Sequence, residues 1–170
     1  MYFRKFDLSY PHFSLCLQMP QSGFPIILMT EKERTFLNSL TQAFPYTPTA
    51  EQNGLLRELV SFCLLSERFE LFLLKGYAGT GKTTVISTLV GNLGSVGYKS
   101  VLLAPTGRAA KVIGRYSRRV AHTIHRKIYF ATRNPDGSVR LVLQKNKHTN
   151  TIFIADEASM IPDRDSGLRT

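Results

Sequence analysis

The hydrophobic pattern changes period several times along the chain, and each change marks an element. Phe36, Leu37, Leu40 and Phe44 recur at helical spacing after Met29-Thr30, and Pro45 is the stop, which predicts a first helix. A second helix is predicted from about Thr49. There Thr49-Ala50-Glu51-Gln52 forms a capping box, and Leu55, Leu56, Leu59, Val60 and Cys63 supply the apolar face. The run Phe69 to Lys75 reads as a strand, followed by a helix that buries Val85, Ile86, Leu89, Val90 and Leu93 and ends at Gly91 and Gly94. Ser100 to Ala104 predicts another strand. From about Thr106 a further helix places Ala109, Val112, Ile113 and Tyr116 on one face and Arg108, Lys111 and Arg115 on the other.

Asn134-Pro135-Asp136-Gly137 predicts a turn between Tyr129-Phe130 and the alternating strand Ser138 to Leu143, and Thr151 to Ala155 is the last clear strand. Alternating strands and helices predict an α/β fold, mostly parallel, with its ligand at the C-terminal ends of the strands. Residues 1–28 carry no clean period and are interrupted by Pro11, Pro20, Gly23 and Pro25. They are expected to be an extension without function, with Met29 as the natural start.

The candidate chemistry begins where the strand at Phe69 to Leu74 ends. Gly76, Tyr77, Ala78, Gly79, Thr80, Gly81, Lys82, Thr83 and Thr84 meet the pattern G-x-x-x-x-G-K-[ST] between a strand and a helix, the context of a phosphate-binding loop. Glycines let bare backbone N–H groups approach phosphate oxygens, and the helix that follows turns its unpaired N–H groups toward the same anion. Lys82 supplies a mobile positive charge for the β and γ oxygens of ATP, and the Thr83 hydroxyl is small enough to ligate a bridging Mg²⁺. A ligand-free glycine turn is the plain alternative. It leaves unexplained a second motif, IFIADEASM at Ile152 to Met160, where Asp156 and Glu157 follow a short buried strand in a Walker B pattern. Asp156 is expected to hold the metal through its shell and Glu157 to orient and deprotonate the attacking water. An acidic helix start accounts for the two acids but not for their position after that strand.

Composition narrows the setting. At 170 residues the chain is long enough for a single core. Cys16 and Cys63 have neither metal-site nor disulfide-framework spacing, no apolar run reaches the length of a membrane span, and no signal-peptide pattern is found, so a cytoplasmic setting is expected. The net charge of +10 is uneven. Between Leu71 and Asn150 Asp136 is the sole acid, against Lys75, Lys99, Arg108, Lys111, Arg115, Arg118, Arg119, Arg126, Lys127, Arg133, Arg140, Lys145 and Lys147 beside the loop lysine. Such a field suits a polyanion larger than a nucleotide, although a solvated basic surface has the same composition.

Together the motifs resemble the RecD-like DNA helicases of superfamily 1, which include the exonuclease V α-subunit and Dda-like enzymes. TPTAEQ at Thr47 to Gln52 is similar to their Q motif, LLKGYAGTGKTT at Leu73 to Thr84 to motif I, and LLAPTGRAAK at Leu102 to Lys111 to motif Ia. AHTIHRKI at Ala121 to Ile128 resembles the TIH segment, and IADEASM at Ile154 to Met160 resembles motif II. The resemblance implies a RecA-like P-loop NTPase sheet, with ATP and Mg²⁺ as cofactors, single-stranded DNA as partner and no membrane.

It also implies roles. Gln52 reads the adenine, and Pro105, Thr106, Gly107, Arg108, Thr123 and His125 lie along the strand path. Read from spacing alone, Gln52 is the capping partner of Thr49, and one side chain is not expected to serve both ends. Residues 105–108 equally read as a helix start with a solvated basic face. His122 and His125 lack a third metal ligand.

The resemblance divides the chain into an N-terminal extension (1–28), a helical segment with the Q motif (29–68) and a truncated motor domain 1A (69–170). The chain stops before the family's GDxxQ-type sensor strand and its second motor domain with the arginine finger. In the family the sensor strand lies between the phosphate-loop strand and the Walker B strand. Its absence is expected to leave a slot about 10 Å wide, lined by unpaired backbone that costs roughly 1 to 3 kcal/mol per buried group. A marginally stable chain that binds ATP and DNA without being a complete motor is therefore expected. The alternatives are a nucleic-acid-binding fragment without turnover and another P-loop enzyme such as a kinase, which has no need of APTGRAA or TIH.

Overall fold

The computed structural model describes residues 2–6, 29–65, 71–77 and 79–161. Five strands form one sheet in the order β2-β1-β7-β3-β4. These are β1 (Tyr2–Phe6), β2 (Leu71–Leu73), β3 (Lys99–Ala104), β4 (Ala121–Thr123) and β7 (Thr151–Ala155). β7, β3 and β4 run parallel, and β1 lies antiparallel to both β7 and β2, so β2 points the same way as β7. This is the mostly parallel α/β sheet of a P-loop NTPase, flanked by helices.

The predicted helices form. α1 (Glu31–Ala43) starts on a capping box the periodicity did not announce: Thr30 Oγ1 accepts from Glu33 N at 3.3 Å, and Glu33 Oε2 accepts from Thr30 N at 2.8 Å. α2 (Ala50–Leu65) buries Leu56, Leu59, Val60, Phe62 and Cys63. Its Phe62 meets Phe72 of β2 with ring centroids 5.5 Å apart, packing the helix onto the strand that leads into the loop. The core joins Phe36 and Leu40 to Leu59, Ile86 and Leu89, and continues through Leu102, Ile113, Ile152 and Ile154, all nearly or fully buried.

Three expectations need correction. α3 (Lys82–Asn92) runs through Gly91, and a 3-10 turn over Leu93–Val96 carries the chain on to Gly97, which at φ 85° is the left-handed residue that ends it. A single interior glycine weakens a helix by only about 1 kcal/mol, less than the packing of Val85, Ile86, Leu89 and Val90 supplies. In α4 (Gly107–Ser117) the buried residues are Ala110, Ile113 and Ser117, whereas Val112 and Tyr116 are exposed. Gly114 sits against the turn that follows the helix: a Cβ there would stand 3.0 Å from the Arg119 carbonyl and 3.5 Å from the Ala121 side chain of β4.

The third correction concerns residues 1–28. Tyr2–Phe6 is a strand, and it occupies the place between β2 and β7 where an open slot was expected. YFRKF has no two-residue alternation, so the pattern gave no signal, although aromatic residues favour strands. Residues 7–28 lie outside the described residues, as do 66–70, which include the predicted strand start at Phe69.

The predicted turn also forms. β5 (Tyr129–Arg133) and β6 (Val139–Leu143) make a separate antiparallel hairpin, with α5 (Ile124–Ile128) leading into it from β4. Asp136 Oδ1 accepts from the Ser138 backbone N at 2.8 Å and from its hydroxyl at 2.6 Å, and these bonds hold the Asp136 carboxyl below the usual carboxylate range.

Candidate nucleotide site and basic edge

β2 delivers the chain into an exposed loop in which Ala78 alone lies outside the described residues. Gly79 and Gly81 take left-handed backbone at φ 80° and 83°, conformations that other residues rarely adopt. Gly81 is also the N-cap of α3, and no side chain caps that helix, so its first N–H groups face outward as an anion site requires. A Cβ on Gly81 would stand 2.6 Å from Gln52 Nε2, the movable end of a flexible side chain, so it is the left-handed backbone that calls for glycine there. Lys82 Nζ donates to the carbonyls of Gly76 at 2.5 Å and Tyr77 at 2.6 Å, which hold the ammonium within the loop. Thr83 and Thr84 follow, half-buried, in the first turn of α3. Two left-handed glycines, an uncapped helix start and a lysine held in the loop fit a phosphate chain, and the Thr83 hydroxyl and the Asp156 carboxylate are oxygen donors of the kind a hard divalent cation takes.

Gln52 joins this loop to α2. Its Oε1 accepts from Thr49 N at 3.1 Å, and its Nε2 donates to the Thr80 carbonyl at 3.3 Å. The capping role read from spacing and a contact with the nucleotide loop therefore coexist in one amide, each using a different end. The loop borders a cleft of about 980 Å³, whose other wall includes Phe44, Tyr46, Thr49 and Leu55. Tyr46 is 77% exposed there and Tyr77 89%. The sequence reading missed Tyr46 and Phe44 as site residues. The available signal was two aromatics bracketing a helix-ending proline just before the Q-like segment.

The acidic pair sits at the end of β7. Asp156, half-buried, is fixed by its backbone N donating to the Leu103 carbonyl of β3 at 3.0 Å, and its Oδ1 accepts from Glu157 N at 2.9 Å. Glu157 is exposed and left-handed at φ 51°, a conformation costing a non-glycine residue about 1 kcal/mol or more. The bend turns the chain off the strand into a short 3-10 turn over Ala158–Met160. Tyr2 of β1 pairs with both Leu73 and Ala155, so the last residues of β2 and β7 are level and the loop and the acids leave the sheet at the same end.

The residues expected along a nucleic-acid path meet at that end too. Ala104 pairs with Thr123, so the segment that begins at Pro105 and leads through Thr106, Gly107 and Arg108 and the one that leads from Thr123 to His125 leave neighbouring strands at the same end. Thr106 Oγ1 caps α4 by accepting from Ala109 N at 3.2 Å, and Thr123 Oγ1 caps α5 by accepting from Arg126 N at 3.3 Å. Both hydroxyls thus shape helix starts, while Arg108 and His125 are exposed. His125 lies against Tyr129 with ring centroids 6.0 Å apart. Of the fourteen lysines and arginines between 75 and 147, all are exposed except Lys82 and Lys127, which are half-buried. Burial first, then Lys127 and Lys99, push the His148 imidazole below its ordinary value, toward its neutral form.

Loop, lysine and acidic strand end define the class: a P-loop NTPase. A family described as AAA domain matches residues 66–166, and the chain belongs to it. The chain is also 30% identical over 152 residues to an ATP-dependent RecD2 DNA helicase of Deinococcus radiodurans, an alignment covering 82% of this chain and 20% of that relative. It therefore spans about a fifth of the helicase it resembles. Among the described residues, no helix is long and apolar enough to cross a membrane.

Proposed function

We propose that the chain is the N-terminal, ATP-binding part of an ATP-dependent DNA helicase that couples hydrolysis to movement on single-stranded DNA. The observation that carries this reading is the common sheet end: the phosphate loop, the Asp156-Glu157 pair and the Arg108 and Thr123 segments all emerge where β2, β7, β3 and β4 finish. Bound Mg²⁺-ATP supplies a cleavable γ-phosphate whose charge the metal neutralises. Lys82 and the N-terminal amides of α3 hold the phosphates, Thr83 and Asp156 hold the metal, and Glu157 takes the proton from water. Gln52 reads the adenine with the amide hydrogen and the lone pair its two present bonds leave over, and Tyr46 offers a ring face beside it.

The test is single-stranded DNA binding at several salt concentrations. Affinity is expected to fall steeply as salt rises, because lysine and arginine contacts release counterions from the phosphates. Arg108→Ala is expected to weaken binding and to reduce the slope of log affinity against log salt by about 0.7, the value of one single-strand phosphate contact. Salt-insensitive binding, or an unchanged slope in the variant, contradicts this path.

A further inference from the structure

We propose that Tyr2–Phe6 is a spacer strand that sets the distance and the register between the phosphate loop and the acidic pair. The facing edges of β2 and β7 form a strand-accepting slot, and the chain's own N-terminal segment is its occupant. Tyr2, Phe3 and Arg4 pair with Leu73, Phe72 and Leu71 on one side. On the other, all five residues from Tyr2 to Phe6 pair with Ala155 back to Thr151. Among the described residues, β1 is the strand paired with β2 and the one that joins it to the rest of the sheet.

Two physical reasons make this occupancy consequential. Thr151, Ile152 and Ile154 are fully buried with β1 in place, so in the folded chain the backbone groups of β7 on that side are satisfied by the strand instead of by water. Neighbouring strands lie about 4.8 Å apart, so β1 holds β2 about 10 Å from β7. Closure of β2 directly onto β7 would halve that distance. A one-residue slip of β2 along β1 would move the loop about 3.3 Å relative to Asp156 and invert the faces of Leu71 and Leu73. Because Tyr2 faces both Leu73 and Ala155, the observed register is the one that brings the last residues of β2 and β7 out level, just before the loop and the acidic pair.

Backbone amide hydrogen exchange on the full chain tests this without nucleotide. Amides of residues 2–6 and 71–73 are expected to be protected in the wild-type protein. Arg4→Pro removes a donor from the middle of a strand with neighbours on both sides. It is expected to lower protection at 71–73 at least about tenfold while leaving Lys99–Ala104 protected, a local opening instead of global unfolding. Free exchange of residues 2–6 in the wild type, or unchanged protection of 71–73 in the variant, overturns the proposal. If Arg4→Pro does not fold, the wild-type exchange of residues 2–6 alone decides. The same variant is expected to lose Mg²⁺-ATP affinity. That consequence rests on the nucleotide reading, and protection at 2–6 in a wild-type chain that binds no ATP would sink that reading while leaving the spacer strand standing.

Discussion

Lys82→Ala is expected to lower the affinity for Mg²⁺-ATP by roughly 10- to 100-fold. The Lys82 ammonium is held in the loop by the Gly76 and Tyr77 carbonyls. Hydrogen bonds to charged groups contribute about 1.5 to 3 kcal/mol each, and each 1.4 kcal/mol is tenfold in affinity. The fold is expected to survive, because Lys82 is only half-buried and its two bonds are to exposed loop carbonyls. Titration calorimetry with Mg²⁺-ATP, alongside thermal unfolding of both proteins, separates the two effects. Equal affinity in wild type and variant removes the loop from the site.

Glu157→Gln is the second large effect, and it acts on rate. Gln has nearly the shape of Glu and keeps the backbone N that donates to Asp156 Oδ1, so nucleotide and metal binding are expected to stay within about twofold. The base is gone, and general-base catalysis contributes about 10² to 10⁴ in rate. Phosphate release measured at high protein concentration is expected to fall by that order from whatever rate the parent shows. A variant that hydrolyses at the parent rate assigns the base elsewhere. The left-handed backbone of Glu157 is the structural reason to look here: strain at an exposed residue after a buried strand persists because the strand end over-determines it.

Much of this site was legible because its signals are local. The glycine spacing of the loop, the strand before it and the helix after it are contiguous in sequence, and so are Ile152 to Asp156. The Thr49-Gln52 box was legible for the same reason, and the bond from Gln52 to the Thr80 carbonyl was not, since it joins residues 28 apart. The face of α4 was misread because Val112 and Tyr116 look like core residues by type, while the helix is rotated to bury Ala110, Ile113 and Ser117 and leaves those two exposed. β1 is the clearest case of a tertiary decision. Nothing in YFRKF specifies a central position, and the unpaired edges of β2 and β7 supply the reason for a strand there. A slot that was expected to expose backbone is filled by the segment expected to do nothing.

The most direct test of the nucleotide site is an experimental structure of the chain with Mg²⁺ and a non-hydrolysable ATP analogue. The account predicts β- and γ-phosphate oxygens within hydrogen-bonding distance of the loop amides at 79–83 and of Lys82 Nζ. It predicts Mg²⁺ bound to the Thr83 hydroxyl, with Asp156 in its shell. A triphosphate bound away from the α3 N-terminus, or a loop that remains closed on its own lysine at saturating nucleotide, would contradict it.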